Sequence, residues 1–596
     1  MDRNQTIGIV LISLMLVAYM FLVDSTPTTP ANKNNTTETK KEIPSTAEEF
    51  PHETVLKVGN DTASALLQQK FGVFAYGVKG ESQEVVLENK DIKVVFNTLG
   101  GSIKQVLLKN YLTHSQEPLI LIDEKSSDLT LDVETVKGNV NLRDFYYQAH
   151  KIDDQTISFR IQVNEEHYIE QKYTLGKEGF IINYGLNFKG LEEEIKSKHV
   201  LLEWTSKLKP FEKNIEQSRV VATVNFFNQT EGLDYLNETS NDPQEIKAEY
   251  EVSWVAFKQK FFTSAILNQN TFSNVLVRSK IDPFEPEVEK MLYTSLHIPV
   301  KDLQNNAIRF YFGPNDYDIT KTVGEGFEKN VYLGWAIFSV VNKYVIMPLF
   351  QFLESMTNNY GMVIFLLVLI IKIALFPLVY NSFKSMAKTK ILQPELNKIK
   401  EQFPDDATKV QQEQMKLYSL AGVNPLSGCI PFLLQMPILL AMFNFFPNII
   451  QLRQKSFLWA EDLSTYDSII TFGFQIPFYG DHVSLFTILM TISTILYTYY
   501  MSQMQAAQNP QMQMLSYAMP VVFMFVLNSF SAGLTYYYFV SNFITIGQQA
   551  FIKRFVDENA IRKMMDDNKI KNANKPKSSF QTRIEEAMKE KNKKKE

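Results

Sequence analysis

The sequence predicts a multi-domain protein: an α-helical polytopic membrane core of six transmembrane helices, joined to a large extracytoplasmic β-sandwich. Three observations carry this expectation. Hydrophobic residues fill 45% of the 596 positions, yet mean hydropathy is only -0.14, so the apolar residues must be gathered in particular stretches. From about residue 56 to 322, short apolar runs alternate with period two between Gly and Asn/Asp clusters. Beyond residue 333, long apolar runs alternate with polar loops, and lysines crowd only some of those loops.

The elements follow in order. Arg3 precedes an apolar run from Thr6 to Val23. Its basic flank is weak and no small-x-small cleavage site follows, so residues 1–23 read as an uncleaved anchor with a cytoplasmic N-terminus, rather than a signal peptide. Residues 24–55 are rich in Thr, Asn, Pro, Lys and Glu and read as a flexible linker. In the β domain, residues 56–322, strands are expected at Val85–Leu87, Ile92–Phe96, Ile157–Ile161 and Phe180–Tyr184, with Trp254–Ile266 as one central strand. No carboxylate pair or Ser/His/Asp arrangement can be placed there, which favours a scaffold or contact role.

Residues 333–357 are amphipathic, carry Lys343 and Glu354, and are interrupted by Pro348; they read as an interfacial helix. Gly361–Tyr380 follows as a span, since about 20 apolar residues cross a bilayer. Lys372 breaks its apolar pattern. A cation at that depth costs roughly 2.5–3.5 kcal/mol on insertion scales. The competing reading, a snorkelling lysine, must bridge about 12 Å of helix to Tyr380, nearly twice a lysine stem. Asn381–Gly422 is polar and helix-favouring, broken once at Phe403-Pro404-Asp405-Asp406. It reads as a cytoplasmic helical hairpin whose first arm carries Lys384, Lys388, Lys390, Lys398 and Lys400. Four more spans follow, at Pro425–Phe446, Ser484–Tyr500, Met514–Asn528 and Leu534–Ile552, completing a five-helix core over 361–552. Residues 448–483 form an outer loop, and 553–596 a basic tail without order. This topology puts the lysine-rich loops and both termini inside, as the positive-inside rule requires, and the β domain outside.

Composition excludes several classes. The one cysteine, Cys429, allows no intrachain disulfide and no N-terminal lipid-modified cysteine. None of the seven histidines falls in a span or at helical ligand spacing, so neither metal nor cofactor is expected. No acidic residue lies in a span to pair with Lys372, as an ion-coupled transporter would more often provide. An unpaired cation suits a hydrated groove that receives something acidic. Gln435, Asn444, Thr535 and Tyr537 are its expected neighbours. A solute transporter and a sugar-binding or sugar-modifying envelope protein are the alternatives.

At this point the ordered motifs Ser385-Met-Ala-Lys388, Leu392-Gln-Pro394, Val423-Asn-Pro-Leu426, Gly428-Cys-Ile-Pro431, Gln435-Met-Pro437, Gly533-Leu534 with Tyr537-Tyr538, and Val540-Ser-Asn542 carry a resemblance. In the outer domain Thr98-Leu-Gly-Gly101, Trp254-Val-Ala256 and Phe310-Tyr-Phe-Gly-Pro314 add to it. The chain resembles the YidC-type membrane protein insertases, in the long form of bacteria with an outer membrane. The resemblance implies a β-supersandwich in the periplasm and an inner-membrane core with a groove open to cytoplasm and lipid. It implies insertion of nascent membrane proteins, without covalent catalysis, alone or beside the Sec translocon. Tyr538 joins the groove set on this ground. The family commonly has arginine where this chain has Lys372, and often threonine where it has Val368. The hairpin lysines and the tail are expected to meet incoming chains or the ribosome. The lipid bilayer is the remaining partner, and no specific nucleic acid is expected.

Overall fold

The computed structural model describes residues 60–404, 406–424, 430–477, 479–503 and 510–572. The expected anchor, the linker, the start of the span at 425–446, residues 504–509 and the tail from 573 lie outside these residues. The chain divides into two compact units, Met1–Val331 and Tyr332–Glu596.

The first unit is a large β-sandwich behind one helix, α1 (Asn60–Phe71). Strands β1 (Glu84–Glu88), β2 (Ile92–Asn97), β3 (Ser102–Leu112) and β4 (Pro118–Ile122) form an antiparallel sheet in that order. The larger sheet has fourteen strands. They are β5 (Ser127–Thr135), β6 (Gly138–Asn141), β7 (Gln148–Lys151), β8 (Thr156–Gln162), β9 (Tyr168–Leu175), β10 (Ile181–Lys189), β11 (His199–Lys207), β12 (Thr223–Asn228), β13 (Gly232–Tyr235), β14 (Gln244–Lys247), β15 (Val252–Lys258), β16 (Phe262–Lys280), β17 (Met291–Pro299) and β18 (Ile308–Pro314). Its path runs β6-β5-β11-β17-β16-β18-β10-β9-β8-β7, and β12 to β15 branch from it.

Alternation explains how these strands make a core. In β11, Val200, Leu202, Trp204 and Ser206 are buried while the residues between them are less so. Trp204 packs against Phe257 at 4.7 Å between ring centroids, and its indole donates to Ser127 Oγ at 2.9 Å. Trp254 stacks on Phe227 and its indole donates to the Glu325 carbonyl. The single strand expected over Trp254–Ile266 is two antiparallel strands, β15 and β16, joined at Gln259–Phe261. No Gly or Pro marks that turn. A side chain from elsewhere secures it: the Asn315 amide donates to the Gln259 carbonyl at 2.8 Å.

The second unit is helical. Its first helical stretch is α2 (Ile337–Val341), a π-turn (Asn342–Ile346) and α3 (Met347–Met356). Pro348 was expected to interrupt it. Instead the preceding turn widens, accommodating a ring that lacks an N–H and would crowd the carbonyl four residues back. The Asn342 amide spans this region, donating to the Leu333 and Ala441 carbonyls, both at 2.8 Å.

Next comes α4 (Tyr360–Ala374), capped by the Asn359 side chain on Met362 N–H. The span expected over 361–380 stops here. It bends by 59° into α5 (Phe376–Ile391), because Pro377 sits in the first turn of a new helix. The expected hairpin start at 381 thus falls inside α5. The hairpin also has a second break, at Leu392 before Pro394, where α6 (Gln393–Gln402) begins. α7 (Ala407–Ala421) is capped by Asp406 and stops at Gly422, whose φ of 66° is costly for other residues.

The remaining helices are α8 (Ile430–Asn448), α9 (Leu485–Ser502), α10 (Pro510–Leu527), α11 (Ala532–Phe555) and α12 (Glu558–Asn572). A hairpin, β19 (Ile470–Ile476) and β20 (Gly480–Val483), stands between α8 and α9, where only a loop was expected. Among the described residues, α9 alone is long and apolar enough for a straight span, and α4 with α5 passes as a bent one. The tail expected from 553 is helical as far as Asn572. Ile561 and Met565 of α12 pack with Leu392, Leu396, Ala421 and Val423 of the hairpin. Two apolar residues at i and i+4 among many charges gave this docking face.

Candidate functional site

The burial of α4 has a direction. Val363, Ile364, Leu367, Val368, Ile371 and Lys372 are buried, whereas Met362, Phe365, Ile370 and Ile373 are exposed. Lys372 is 4% exposed and lies on the packed face, while Ile373 beside it is 60% exposed. A snorkelling lysine would sit on the exposed face. The partner on the packed side is α11. Near the start of α11, Gly533 leaves room for the Leu463 carbonyl, 3.0 Å from where a Cβ would sit, and Ile364 of α4 is within ordinary contact at 3.6 Å. Further along, the Gln548 amide donates to the Lys372 carbonyl at 2.9 Å. Among the described residues, no carboxylate lies within salt-bridge distance of Lys372.

The level of Lys372 is polar beyond the lysine itself. The buried side-chain oxygens of Gln548 and of its neighbour Gln549 make no hydrogen bond with the protein. Leaving such an acceptor unpaired costs roughly 1–3 kcal/mol, so both amides are high-energy groups unless water or another chain meets them. Elsewhere on α11, Asn542 donates to Ser493 Oγ at 3.0 Å and Thr494 Oγ1 at 2.8 Å, clamping α11 to α9.

The expected groove residues fare differently. Tyr537 is buried and meets Phe446 and Tyr538, each 5.4 Å away between ring centroids, so it ties α11 to α8. The Thr535 hydroxyl turns back onto its own helix, donating to the Ala532 carbonyl at 3.2 Å. Asn444 likewise donates to the Leu440 carbonyl at 2.7 Å. Gln435 is half-buried on α8. Among the described residues, none of these five shares a hydrogen bond with the Lys372 side chain. Val368 is buried one turn before Lys372. Gln548 and Asn542 make interhelical bonds instead. Their sequence signal is an amide within an apolar run.

On the hairpin, Lys384 and Lys388 are half-buried and Lys390 is exposed on α5. α12 adds Lys569, which pairs with Glu395 of α6 at 2.6 Å.

Comparisons with known proteins place this arrangement. Residues 352–559 match the family described as 60Kd inner membrane protein, and residues 84–347 match the YidC periplasmic domain. These matches define the class: an inner-membrane protein with a periplasmic domain. Proteins named membrane protein insertase YidC from Amoebophilus asiaticus and Cytophaga hutchinsonii are 41% and 42% identical to this chain, each over 99% of it and 98% of the relative. The chain belongs to the YidC membrane protein insertase family. A solved structure titled as an active YidC insertase, with its first transmembrane domain resolved, aligns over 82% of this chain and 97% of its own, at 19% identity and a TM-score of 0.31.

Proposed function

We propose that this protein inserts and helps fold integral membrane proteins through a hydrophilic groove centred on Lys372. The observation that carries the reading is a buried lysine on the packed face of α4, with no carboxylate partner among the described residues and with two unpaired amide oxygens on α11 at its level. Water or the polar backbone of an incoming chain would satisfy those groups. An acidic residue in that chain would be attracted by roughly 3 kcal/mol at 6 Å and an effective dielectric constant near 20. That holds a segment briefly without trapping it. Exposure of an apolar helix to lipid then completes insertion.

In this reading the core has six spans with both termini in the cytoplasm. Residues 56–322 act as a periplasmic scaffold or contact domain. Gln435, Asn444, Thr535, Tyr537 and Tyr538 line or shape the groove, and Lys384, Lys388 and Lys390 meet incoming chains or the ribosome. The protein works alone or beside the Sec translocon, and no metal, cofactor or covalent step enters. Support for the interfacial helix comes from α2 and α3, where Ile337, Val340, Tyr344, Phe352 and Met356 form an exposed apolar stripe.

Reconstitution tests this directly. Purified protein in liposomes is expected to insert a short single-span substrate without added nucleotide. Solute flux through the same vesicles, with no insertion, would replace the groove by a transport pathway.

A further inference from the structure

The β19–β20 hairpin is a ribbon of two strands that, among the described residues, no third strand covers. Isolated ribbons of this kind are marginal in water. Its root is nevertheless fixed. The Asn528 amide donates to the Tyr479 carbonyl at 2.9 Å and the His482 carbonyl at 2.7 Å, and its oxygen accepts from Ser484 N–H at 3.0 Å. Asp467 accepts from Leu485 and Phe486 N–H at the start of α9, from Ser484 Oγ, and from the Trp459 indole. The ribbon therefore projects rigidly from the point where α9 begins and α10 ends.

Its sequence is two-faced. Along β19, Ile470, Phe472, Phe474 and Ile476 alternate in sequence with Thr471, Gly473 and Gln475; the pairing with β20 is bulged between Thr471 and Ile476, and the Phe472 and Phe474 rings stack on one side, 5.8 Å apart. The ribbon is open: Ile470 is 54% and Phe474 66% exposed. No charged residue occurs from Ser468 to Gly480. The apolar surface continues from the ribbon onto a helix, because Tyr479 packs on Phe525 of α10, beside exposed Val521 and Val522.

We infer that this ribbon is an interfacial anchor, lying in the outer leaflet with its Ile470/Phe474 face among lipid chains and its Thr471/Gln475 face toward water. Lipid fits better than a protein partner. Aromatic and aliphatic groups without charge suit the headgroup boundary, the root is at the ends of two apolar helices, and the apolar surface is continuous with theirs. Protein-docking patches usually carry a polar rim. The inference rests on α9 and α10 being membrane spans.

The full chain allows a clean test, because Cys429 is its one cysteine. In a Cys429→Ser background, Ile470→Cys, Thr471→Cys, Phe474→Cys and Gln475→Cys are each labelled with an environment-sensitive fluorophore and reconstituted in phosphatidylethanolamine/phosphatidylglycerol vesicles. Labels at 470 and 474 are expected to be blue-shifted and quenched by lipids spin-labelled high on the chain. Labels at 471 and 475 should be quenched by aqueous iodide. Equal iodide quenching at all four positions overturns the anchor. Protection from both quenchers that grows with protein density overturns it too, in favour of docking between copies. A label at Ile492→Cys, on the exposed face of α9, separates the two readings: if deep lipid quenchers reach it, failure at 470 and 474 condemns the anchor alone, and if they do not, the membrane reading of α9 falls with it.

Discussion

At Lys372 the proposed groove asks for charge rather than shape. Arginine adds a planar fork, yet Lys372→Arg is expected to support insertion, since both are cations. Lys372→Ala should be impaired for substrates with acidic leaders by up to about 100-fold if the full pair energy of roughly 3 kcal/mol is lost, and Lys372→Glu, which turns attraction into repulsion, should be worse still. The check is insertion yield across leaders of graded charge; equal yields for Lys372→Glu and the parent would remove the electrostatic step. Gly361 poses a different contest. A Cβ there would lie 2.1 Å from the Phe457 ring, which itself packs on Tyr536. Gly361→Ala gains at most about 1 kcal/mol of helix propensity, and overpacking costs about 1–3 kcal/mol. A lowered unfolding temperature, partly restored by adding Phe457→Ala, is the expected outcome. In the β unit, burial pushes the Glu289 carboxyl up to about 8, while Gln259 donates to it at 2.9 Å. Burial pulls its neighbour Lys290 down to about 8. The folded carboxyl keeps its proton where the unfolded chain has lost it, so stability falls as pH rises from about 4.5 to about 8. The lysine acts oppositely above that, and stability recovers from about 8 toward 10.5. Protection of the flanking strands from hydrogen exchange, corrected for the intrinsic pH dependence of exchange, should show a minimum near pH 8, and Glu289→Gln should flatten the acid-side slope, which is at most about 1.4 kcal/mol per pH unit.

Among the elements, those with strong periodicity were legible in advance. Val85–Leu87, Ile92–Phe96 and Ile157–Ile161 fall within β1, β2 and β8. The bend at Leu375 was missed because the apolar run continues through it, and length outweighed Pro377. The β15–β16 turn was missed because its support, Asn315, is remote in sequence. The anomaly of Lys372 was visible from one charge in an apolar run; which face of α4 it lies on needed the burial of that helix and the bond from Gln548. The ribbon at 470–483 was hidden because strand alternation is a weak signal beside a membrane span. α12 was hidden by its charges, and it yields a prediction. Met565→Asp puts a carboxylate among Leu392, Leu396 and Val423, at a cost of several kcal/mol unless the helix undocks. Protease cleavage after residue 556 is expected to accelerate in that variant, with the β unit unaffected. Unchanged cleavage would mean that α12 does not hold to the hairpin in solution.

For the molecule as a whole, the division at Val331 sets the expectation. Each unit has its own core: Trp204, Trp254 and Tyr311 in the sandwich, and Val363, Leu367 and Phe445 in the helical unit. A chain lacking 56–322 but keeping 333–357 is expected to insert substrates. If the trimmed protein folds yet inserts nothing, the sandwich is more than a scaffold. Salt should discriminate the cytoplasmic contacts. The proposed contacts of Lys384, Lys388 and Lys390 would act through water, where the screening length is about 8 Å at physiological ionic strength. Ribosome or leader binding should weaken from low to high salt, and salt-independent binding would point to an apolar contact instead.

The bend at Leu375 fixes a distance as well as a direction. With 15 residues, α4 rises only about 22 Å before the chain turns aside, whereas a typical hydrocarbon core is about 30 Å thick. In the proposed membrane role, lipids that match α4 would be compressed or tilted beside it. An entering peptide would there meet a shorter stretch of oil, with Lys372 two residues from the end of the helix.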